Sequence, residues 1–140
     1  WSRTLKYARR SELVLVAEDP DAGIVGFASC ASAKGLDLPY RGEVTMLYVH
    51  PDFQAQAIGR ALLARSFGVL AGKGLGSALI WVLADNPARF FYQAMGGRLI
   101  AERRERMWGV PLQELAYGWS DLKAAIPRIA GGAIAKRHSG

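Results

Sequence analysis

The most informative part of the sequence lies between residues 42 and 63: Gly42-Glu43-Val44-Thr45-Met46-Leu47-Tyr48-Val49-His50-Pro51-Asp52-Phe53-Gln54-Ala55-Gln56-Ala57-Ile58-Gly59-Arg60-Ala61-Leu62-Leu63. Its first part, Glu43–Val49, predicts a strand. Pro51 cannot donate to a strand ladder, so it ends this strand. Apolar residues then recur at helical spacing from Ile58 to Leu70 and predict a helix. The stretch therefore predicts a strand, a tight junction and a helix in direct succession.

The predicted strand has two distinct faces, because successive side chains of a strand point to opposite sides. The odd-numbered residues are expected on one face: Glu43, Thr45, Leu47 and Val49. The even-numbered residues are expected on the other face: Val44, Met46 and Tyr48.

The junction between this strand and the helix suits a large anion. A helix start leaves backbone N–H groups without partners and carries the positive end of the helix dipole. Residues 55, 57, 59 and 61 are small, so an anion could approach the backbone, and Gln54 and Arg60 can add donors. These features predict a pyrophosphate site. The alternative is that the small residues only permit a tight turn.

Two widespread phosphate-binding motifs are absent from the chain. The sequence has no G-x-x-x-x-G-K-[ST] loop, and it has no G-x-G-x-x-G followed by an acidic partner for a ribose. The glycine-rich run Gly72–Gly76 follows a helix instead of opening one, so we interpret it as a turn.

The other predicted elements surround this unit. Further strands are predicted at Leu13–Ala17, Ile24–Ala31, Ala78–Leu83, Leu99–Trp108 and Leu112–Trp119. A second helix is predicted from the Asp85-Asn86-Pro87 cap to Gly96-Gly97, and a third at Asp121–Ile126, capped by Ser120 and ended by Pro127. Trp1–Arg10 gives a weak signal for the end of a helix, and Lys34–Arg41 is expected to be a loop.

This order of elements predicts an α+β domain with a mixed β-sheet. Its centre is a strand-helix-strand unit whose two strands run parallel with a right-handed crossover. Antiparallel hairpins and helices flank that unit. The length of 140 residues suits one domain, expected over residues 1–128, and residues 129–140 are expected to form a flexible Gly/Ala-rich tail.

Composition narrows the possible functions. The net charge is +6, but the cations are scattered, which favours a solvated surface over a nucleic-acid-binding stripe. The single cysteine, Cys30, excludes an internal disulfide and is expected to be a small buried residue in a reducing cytoplasm. His50 and His138 are too far apart for a zinc motif. No apolar run reaches the roughly 18 residues of a membrane span. We therefore expect no metal, no nucleic-acid partner and no membrane partner.

Two segments of the chain resemble the motifs of the GNAT acetyltransferase superfamily. Gly42–Leu63 looks like its acetyl-CoA-binding motif, whose core is Q/R-x-x-G-x-G/A. Gln54 and Gly59 match this core, whereas Ala57 stands in the place of its first glycine. Trp81–Gly97 resembles the second motif of the superfamily, with its Asn, its Phe-Tyr pair and its closing glycine. The resemblance covers about Leu13 to Trp119 and implies transfer of an acetyl group from acetyl-CoA to an amine.

The resemblance also implies roles for particular residues. Tyr92 would protonate the leaving thiolate, and Glu43 would be the base that takes a proton from the amine. Backbone groups near Leu47 and Val49 would pair with the pantetheine arm, and one N–H would polarise the thioester carbonyl. The residues expected at the coenzyme are Leu47, Tyr48, Val49, Gln54, Ala55, Gln56, Ala57, Ile58, Gly59, Arg60, Ala61, Asn86, Arg89 and Tyr92.

Each of these assignments has a simpler alternative. Tyr92 could be a packing residue of an amphipathic helix, Glu43 a solvated carboxylate at a strand start, and Asn86 a helix cap. The tryptophans are expected to fill the core or an interface: Trp81, Trp108 and Trp119.

Two departures from the family pattern bear on function. Alanine tolerates helical dihedrals, so we expect coenzyme binding to persist with Ala57 if that residue is helical. Members of the superfamily usually begin with a strand and one or two helices that wall the acceptor site, and these are expected to be missing before Leu13 or to be supplied by a partner subunit. The leading hypothesis is an active N-acetyltransferase on a small-molecule or protein amine, as a possible homodimer. A coenzyme A-binding module without turnover is the alternative.

Overall fold

The computed structural model describes residues 3–9, 12–33 and 38–139. Its strands are β1 (Arg3–Arg9), β2 (Glu12–Asp19), β3 (Gly23–Ser32), β4 (Gly42–Val49), β5 (Ala78–Leu83), β6 (Arg98–Met107) and β7 (Val110–Trp119). Its helices are a 3-10 helix (Pro51–Gln56), α1 (Ile58–Gly72), α2 (Ala88–Ala94) and α3 (Leu122–Ser139). No helix in the described part of the chain has the length and apolar character needed to cross a membrane.

The strands form one mixed sheet in the order β1-β2-β3-β4-β5-β7-β6. Only β4 and β5 are parallel, and α1 connects them, while every other neighbouring pair is antiparallel. The predicted α+β class and its central strand-helix-strand unit are confirmed. A parallel pair needs a long crossover of this kind, whereas the antiparallel pairs need only short turns.

The core lies between the sheet and the three helices. From α1 it contains the predicted apolar stripe, which is buried in full: Ile58, Leu62, Leu63, Phe67 and Leu70. Trp119 of β7 packs against Phe67, with ring centroids 4.9 Å apart. Cys30 is buried as expected. Trp119 therefore fills the core, but Trp108 is 94% exposed in the turn between β6 and β7 and is not a core residue. Its alternative place in an interface stays a prediction.

A β-bulge at Thr45 corrects the predicted faces of β4. Ser29 pairs with Met46 but Cys30 pairs with Val44, so Thr45 is the extra residue. Its hydroxyl lies 2.5 Å from the Ser29 hydroxyl and donates to Glu12 Oε2 over 2.8 Å. The bulge reverses the alternation for the rest of the strand.

After the bulge, Leu47 and Val49 join Val44 on the helix-covered face and pack against the core. Glu43 stays on the opposite face. The predicted common face for Glu43, Leu47 and Val49 is therefore wrong, because a one-residue slip moves every later side chain to the other side of a sheet.

The two ends of the chain also differ from the prediction. The weak prediction of a helix in Trp1–Arg10 is wrong for Arg3–Arg9, which form a strand. This strand pairs with β2 from Arg3↔Glu18 to Arg9↔Glu12. Leu5 and Tyr7 are two residues apart, which is strand periodicity. The remaining residues of that stretch lie outside the described part.

The predicted helix end at Pro127 is wrong, because α3 continues to Ser139 with Pro127 inside it. An internal proline removes one helical hydrogen bond and costs about 3 kcal/mol. Leu122 and Ile129, on either side of it, are both buried, and this packing outweighs the local penalty. Residues 129–139 were expected in a flexible tail, and their backbone is helical. Asp121, not Ser120, caps the helix by accepting from the Ala124 N–H over 3.3 Å.

Ala57 separates the 3-10 helix from α1 and is left-handed, with φ 61° and ψ 17°. The condition under which coenzyme binding was expected to persist, a helical Ala57, is therefore not met. A left-handed residue with a Cβ costs roughly 1–2 kcal/mol, because the Cβ crowds the following carbonyl oxygen. Glycine has no such penalty.

We expect Ala57→Gly to raise the free energy of unfolding by about 1 kcal/mol in urea denaturation, since relief of the left-handed strain exceeds the added entropy of the unfolded chain. Ala61→Gly is the matched control. Ala61 lies in regular helix, where the same change lowers stability by about 1 kcal/mol. If both variants lose the same amount of stability, residue 57 is not strained.

Candidate active site

The site is built where β4 and β5 separate. These strands pair only at Gly42↔Ala78 and Glu43↔Leu79. Beyond Glu43 the described residues contain no further β4–β5 pair, so the β4 backbone from Val44 to Val49 has an open edge on that side. A parallel ladder would occupy these N–H and C=O groups. The separation leaves them available to an extended ligand.

A cleft of about 700 Å³ opens beside this edge. Eight of the residues predicted to bind or react line it together: Leu47, Val49, Gln54, Ala57, Gly59, Arg60, Asn86 and Tyr92. The structure thus gathers residues from β4, the strand-to-helix junction, α1 and α2 around one space. A cleft of this volume is within the usual range for small-molecule and cofactor sites.

Other predicted residues do not line the cleft with their side chains. Tyr48 points to the opposite face, where its ring lies 5.7 Å from that of Phe27. Ile58 is fully buried in the core, and the Arg89 guanidinium lies 4.3 Å over the Phe90 ring. Ala61 follows in α1 without reaching the cleft. At Ala55 and Gln56 only the backbone, in the 3-10 helix, is described.

The start of α1 forms the polar end of the cleft. The first helical hydrogen bond runs from the Ala61 N–H to the Ala57 carbonyl over 3.1 Å, so the amides of Ile58, Gly59 and Arg60 have no intrahelical acceptor. A Cβ at Gly59 would lie 3.5 Å from Phe91 Cζ and 3.6 Å from Val49 Cγ2, which is ordinary contact. Packing within the protein therefore does not require a glycine at this position.

Gln54 and Asn86 both line the cleft, and each side chain forms a hydrogen bond with nearby backbone. The Gln54 side-chain amide donates to the Val49 carbonyl over 3.3 Å, which ties the end of β4 to the junction. Asn86 Oδ1 accepts from the Ala88 N–H over 2.9 Å, so it supports the start of α2. The N-cap position itself is Pro87, one residue later than predicted. The Asn86 Nδ2 group is a further donor on a residue that lines the cleft.

Tyr92 lines the cleft from α2 and is only 4% exposed. Its ring lies against those of Phe91, Tyr117 and Trp119 at centroid distances of 5.5, 6.5 and 6.5 Å. Burial raises the pKa of Tyr92 to about 12, because the apolar surroundings disfavour the phenolate. The phenol is therefore protonated at neutral pH. Its packing role is confirmed, and this role does not prevent it from acting as a donor.

Glu43 lies at the point where β4 and β5 separate, on the face of the sheet away from the helices. Its side chain is half-buried. Burial raises the pKa of the Glu43 carboxyl, and the nearby Arg103 charge lowers it, while Glu12 and Glu114 raise it. A carboxylate with a raised pKa is a stronger base than a solvated one. Glu43 and Tyr92 therefore flank the separation from opposite sides.

Sequence reasoning missed one wall of the cleft. Five residues around α2 line it: Pro87, Ala88, Phe91, Ala94 and Met95. Residues 88, 91 or 92, and 95 recur at helical spacing, so a signal for a common face was present. Periodicity could not show that this face looks into a cleft, because the distance between α2 and β4 is set by tertiary packing.

Comparison with known proteins places this geometry in a family. The family model for the acetyltransferase (GNAT) domain matches residues 10–96. An uncharacterized N-acetyltransferase of Bacillus subtilis, YuaI, is 38% identical over 111 residues, which are 79% of this chain and 64% of that protein. A mycothiol acetyltransferase of Clavibacter michiganensis is 38% identical over 82 residues, 58% of this chain and 25% of that protein. The chain thus spans less than two thirds of these curated relatives.

A solved structure supports the same fold. The acetyltransferase YncA from Salmonella typhimurium, determined with its cofactor acetyl-CoA, superposes with a TM-score of 0.62 at 24% identity. The match covers 79% of this chain and 65% of the Salmonella protein. The family model covers more than half of the chain, and the separated strands and the helix start lie within it. The chain belongs to the GNAT acetyltransferase family.

Proposed function

We propose that this chain is an N-acyltransferase that moves an acetyl group from acetyl-CoA to a primary amine of a small molecule or a peptide. The observation that carries the proposal is the cleft, which joins the free amides at the start of α1 to the open edge of β4. Membership of the family supports the reaction class. The acetyl-CoA in the Salmonella relative supports the choice of acyl donor.

In the proposed complex the acyl donor lies along the cleft. The amides of Ile58, Gly59 and Arg60 bind its pyrophosphate at the positive end of the α1 dipole, and the Arg60 side chain adds a charge. The pantetheine arm pairs with the open edge of β4 near Leu47 and Val49, as a strand would. Asn86 supplies a donor from the facing rim.

Transfer to an amine needs a neutral amine, a stabilised oxyanion and a proton donor for the thiolate. In the proposed complex a backbone N–H on the open edge of β4 binds the developing oxyanion. Among the described residues, no serine or cysteine is paired with a base in the cleft. The proposal is therefore direct attack of the amine on the thioester.

Tyr92 is the proposed proton donor. An ordinary thiol has a pKa of about 8.5, whereas the pKa of Tyr92 is about 12. Full proton transfer to a solvated thiolate would therefore be unfavourable by about 5 kcal/mol. Burial of the sulfur raises the proton affinity of the thiolate, so Tyr92 first donates a hydrogen bond to the developing charge and then passes its proton to the sulfur as the thiol leaves. Solvent then reprotonates the phenol, and Glu43 releases the amine proton to solvent.

Glu43 is the proposed base. It lies on the face of the sheet opposite the helices, so the amine would approach the separated strands from that face while the acyl donor occupies the helix side. Cytoplasmic location and a homodimer stay predictions from the sequence.

A second candidate is a coenzyme A-binding module without turnover. The left-handed Ala57 favours it, because its Cβ lies on the lining of the cleft where the family motif has a glycine. Binding of the acyl donor without release of free thiol would support this candidate.

The first test is calorimetric titration of the chain with acetyl-CoA, followed by a free-thiol assay with a panel of amines. We expect micromolar binding and thiol release with at least one amine. Ala57→Gly is expected to bind at least as tightly, with a gain of up to tenfold, about 1.4 kcal/mol. Absence of any binding, in the natural chain and in this variant, would contradict the proposed function.

Replacing Tyr92 separates chemistry from packing. Tyr92→Phe keeps the buried ring, so we expect unchanged folding and unchanged acetyl-CoA affinity, with kcat lower by about 100-fold. Tyr117→Phe, which removes the hydroxyl of a neighbouring buried tyrosine that does not line the cleft, is the control and should leave kcat unchanged. If Tyr92→Phe keeps full kcat, Tyr92 is a packing residue only.

Replacing Glu43 tests the base through the pH profile. Because the pKa of Glu43 lies above its ordinary value of 4.5, the rate should fall as the pH drops through that raised pKa and the carboxylate becomes protonated. Glu43→Gln should lower kcat/KM by about 100-fold at neutral pH and abolish this acidic limb. An unchanged limb in the variant would assign it to another group.

A further inference from the structure

The strand register brings Glu43, Trp81 and Arg103 onto one face of the sheet, and Trp81, on which Arg103 stacks, lies two residues from Leu79, the β5 partner of Glu43. Glu43 pairs with Leu79 of β5, and Leu83 of the same strand pairs with Glu114 of β7. Glu114 in turn pairs with Arg103 of β6. Paired residues share a face, so Glu43, Glu114 and Arg103 lie on the same side, away from the helices.

Arg103 is held from two directions. Its guanidinium carbon lies 4.0 Å from the centroid of the Trp81 ring, which also belongs to this face. Its Nε lies 2.8 Å from Glu114 Oε1 and 3.5 Å from Glu105 Oε1. The Glu114 side chain is only 20% exposed. An arginine anchored by a ring and a half-buried carboxylate has a defined position, unlike a solvated surface cation.

The burial of the Trp81 ring beneath this arginine has an energetic cost. Its Nε1–H is buried and has no hydrogen-bond partner among the described residues, which is unfavourable because the group has lost its bond to water. A phenylalanine would fill similar space without that penalty. The indole is, however, the aromatic side chain that best attracts a cation over its face. The choice of residue therefore fits a platform for Arg103.

We propose that Arg103 is a positioning residue, whose anchored charge keeps Glu43 ionised and ready to accept the proton of the incoming amine. This inference rests on the proposed role of Glu43 as the base. Arg103 does not line the cleft for the acyl donor. Its effect should therefore fall on the base and leave coenzyme binding unaffected.

The charges that face Glu43 explain why such a residue is needed. Burial raises the pKa of Glu43, and the Glu12 and Glu114 carboxylates raise it further. The Arg103 charge is what lowers it. Without this cation, repulsion among the carboxylates would favour a protonated Glu43, which cannot act as a base. A lysine could not replace Arg103 fully, because only the planar guanidinium both stacks on the ring and bonds sideways to Glu114.

The direct test is a carbon-13 NMR titration of the Glu43 carboxyl in the full chain, with the resonance assigned through Glu43→Gln. We expect Arg103→Met to shift the Glu43 titration to higher pH. Arg104→Met is the matched control, since it removes the same charge from the next residue of β6, which alternates to the other face. That control should leave the titration close to that of the natural chain. If the Glu43 titration curves of Arg103→Met and of the natural chain coincide, the proposal is wrong.

Kinetics supply the second readout and separate this inference from the proposed function. The acidic limb of kcat/KM should move to higher pH in Arg103→Met, with acetyl-CoA affinity unchanged. Should Arg103→Met fail to fold, Arg103→Lys serves instead, with a smaller shift in the same direction. If Glu43→Gln lowers kcat/KM but no Arg103 variant shifts the acidic limb of the pH profile, Glu43 remains the proposed base and the positioning role of Arg103 is wrong. If Glu43→Gln has full activity, both assignments fail.

Discussion

The structure depends on a parallel ladder that stops after two pairs. β4 and β5 pair at Gly42↔Ala78 and Glu43↔Leu79 and then separate. Each strand is held elsewhere, since β4 is paired with β3 and β5 with β7 along their lengths. The backbone groups on the inner edge of β4 are therefore left open inside an otherwise continuous sheet. Open groups in such a place favour an extended polar ligand, because the alternative is unpaired backbone.

The bulge at Thr45 lies next to this separation and determines what each side of the sheet presents. It places Leu47 and Val49 toward the helices, where they line the cleft, and leaves Glu43 on the other face. Without the extra residue, Glu43 and Leu47 would share a face. In the proposed reaction this division separates the acyl donor from the amine, so that the two substrates meet only between the strands.

The junction at Ala57 shows how local strain coexists with a binding site. The chain leaves the 3-10 helix and enters α1 through a single left-handed residue. This turn brings the start of α1 to the cleft, which Ala57, Gly59 and Arg60 line. The buried stripe of α1, with Ile58, Leu62 and Phe67 almost fully inaccessible, fixes the helix against the sheet. Packing of this extent outweighs a local penalty of roughly 1–2 kcal/mol.

The sequence was sufficient to predict the succession of strands and helices from Leu13 to Trp119, because hydrophobic periodicity and turn residues act over short distances. It also determined the strand-to-helix junction from Gln54 to Arg60, since small residues and free helix amides are local properties. Tertiary structure alone decided the rest. The pairing of β1 with β2 made a strand of Arg3–Arg9, and burial of Leu122 and Ile129 carried α3 through Pro127. Contacts between residues far apart in the chain also determine three further features: the bulge at Thr45, the left-handed Ala57 and the neighbours of Glu43. A local sequence pattern does not contain information about such contacts.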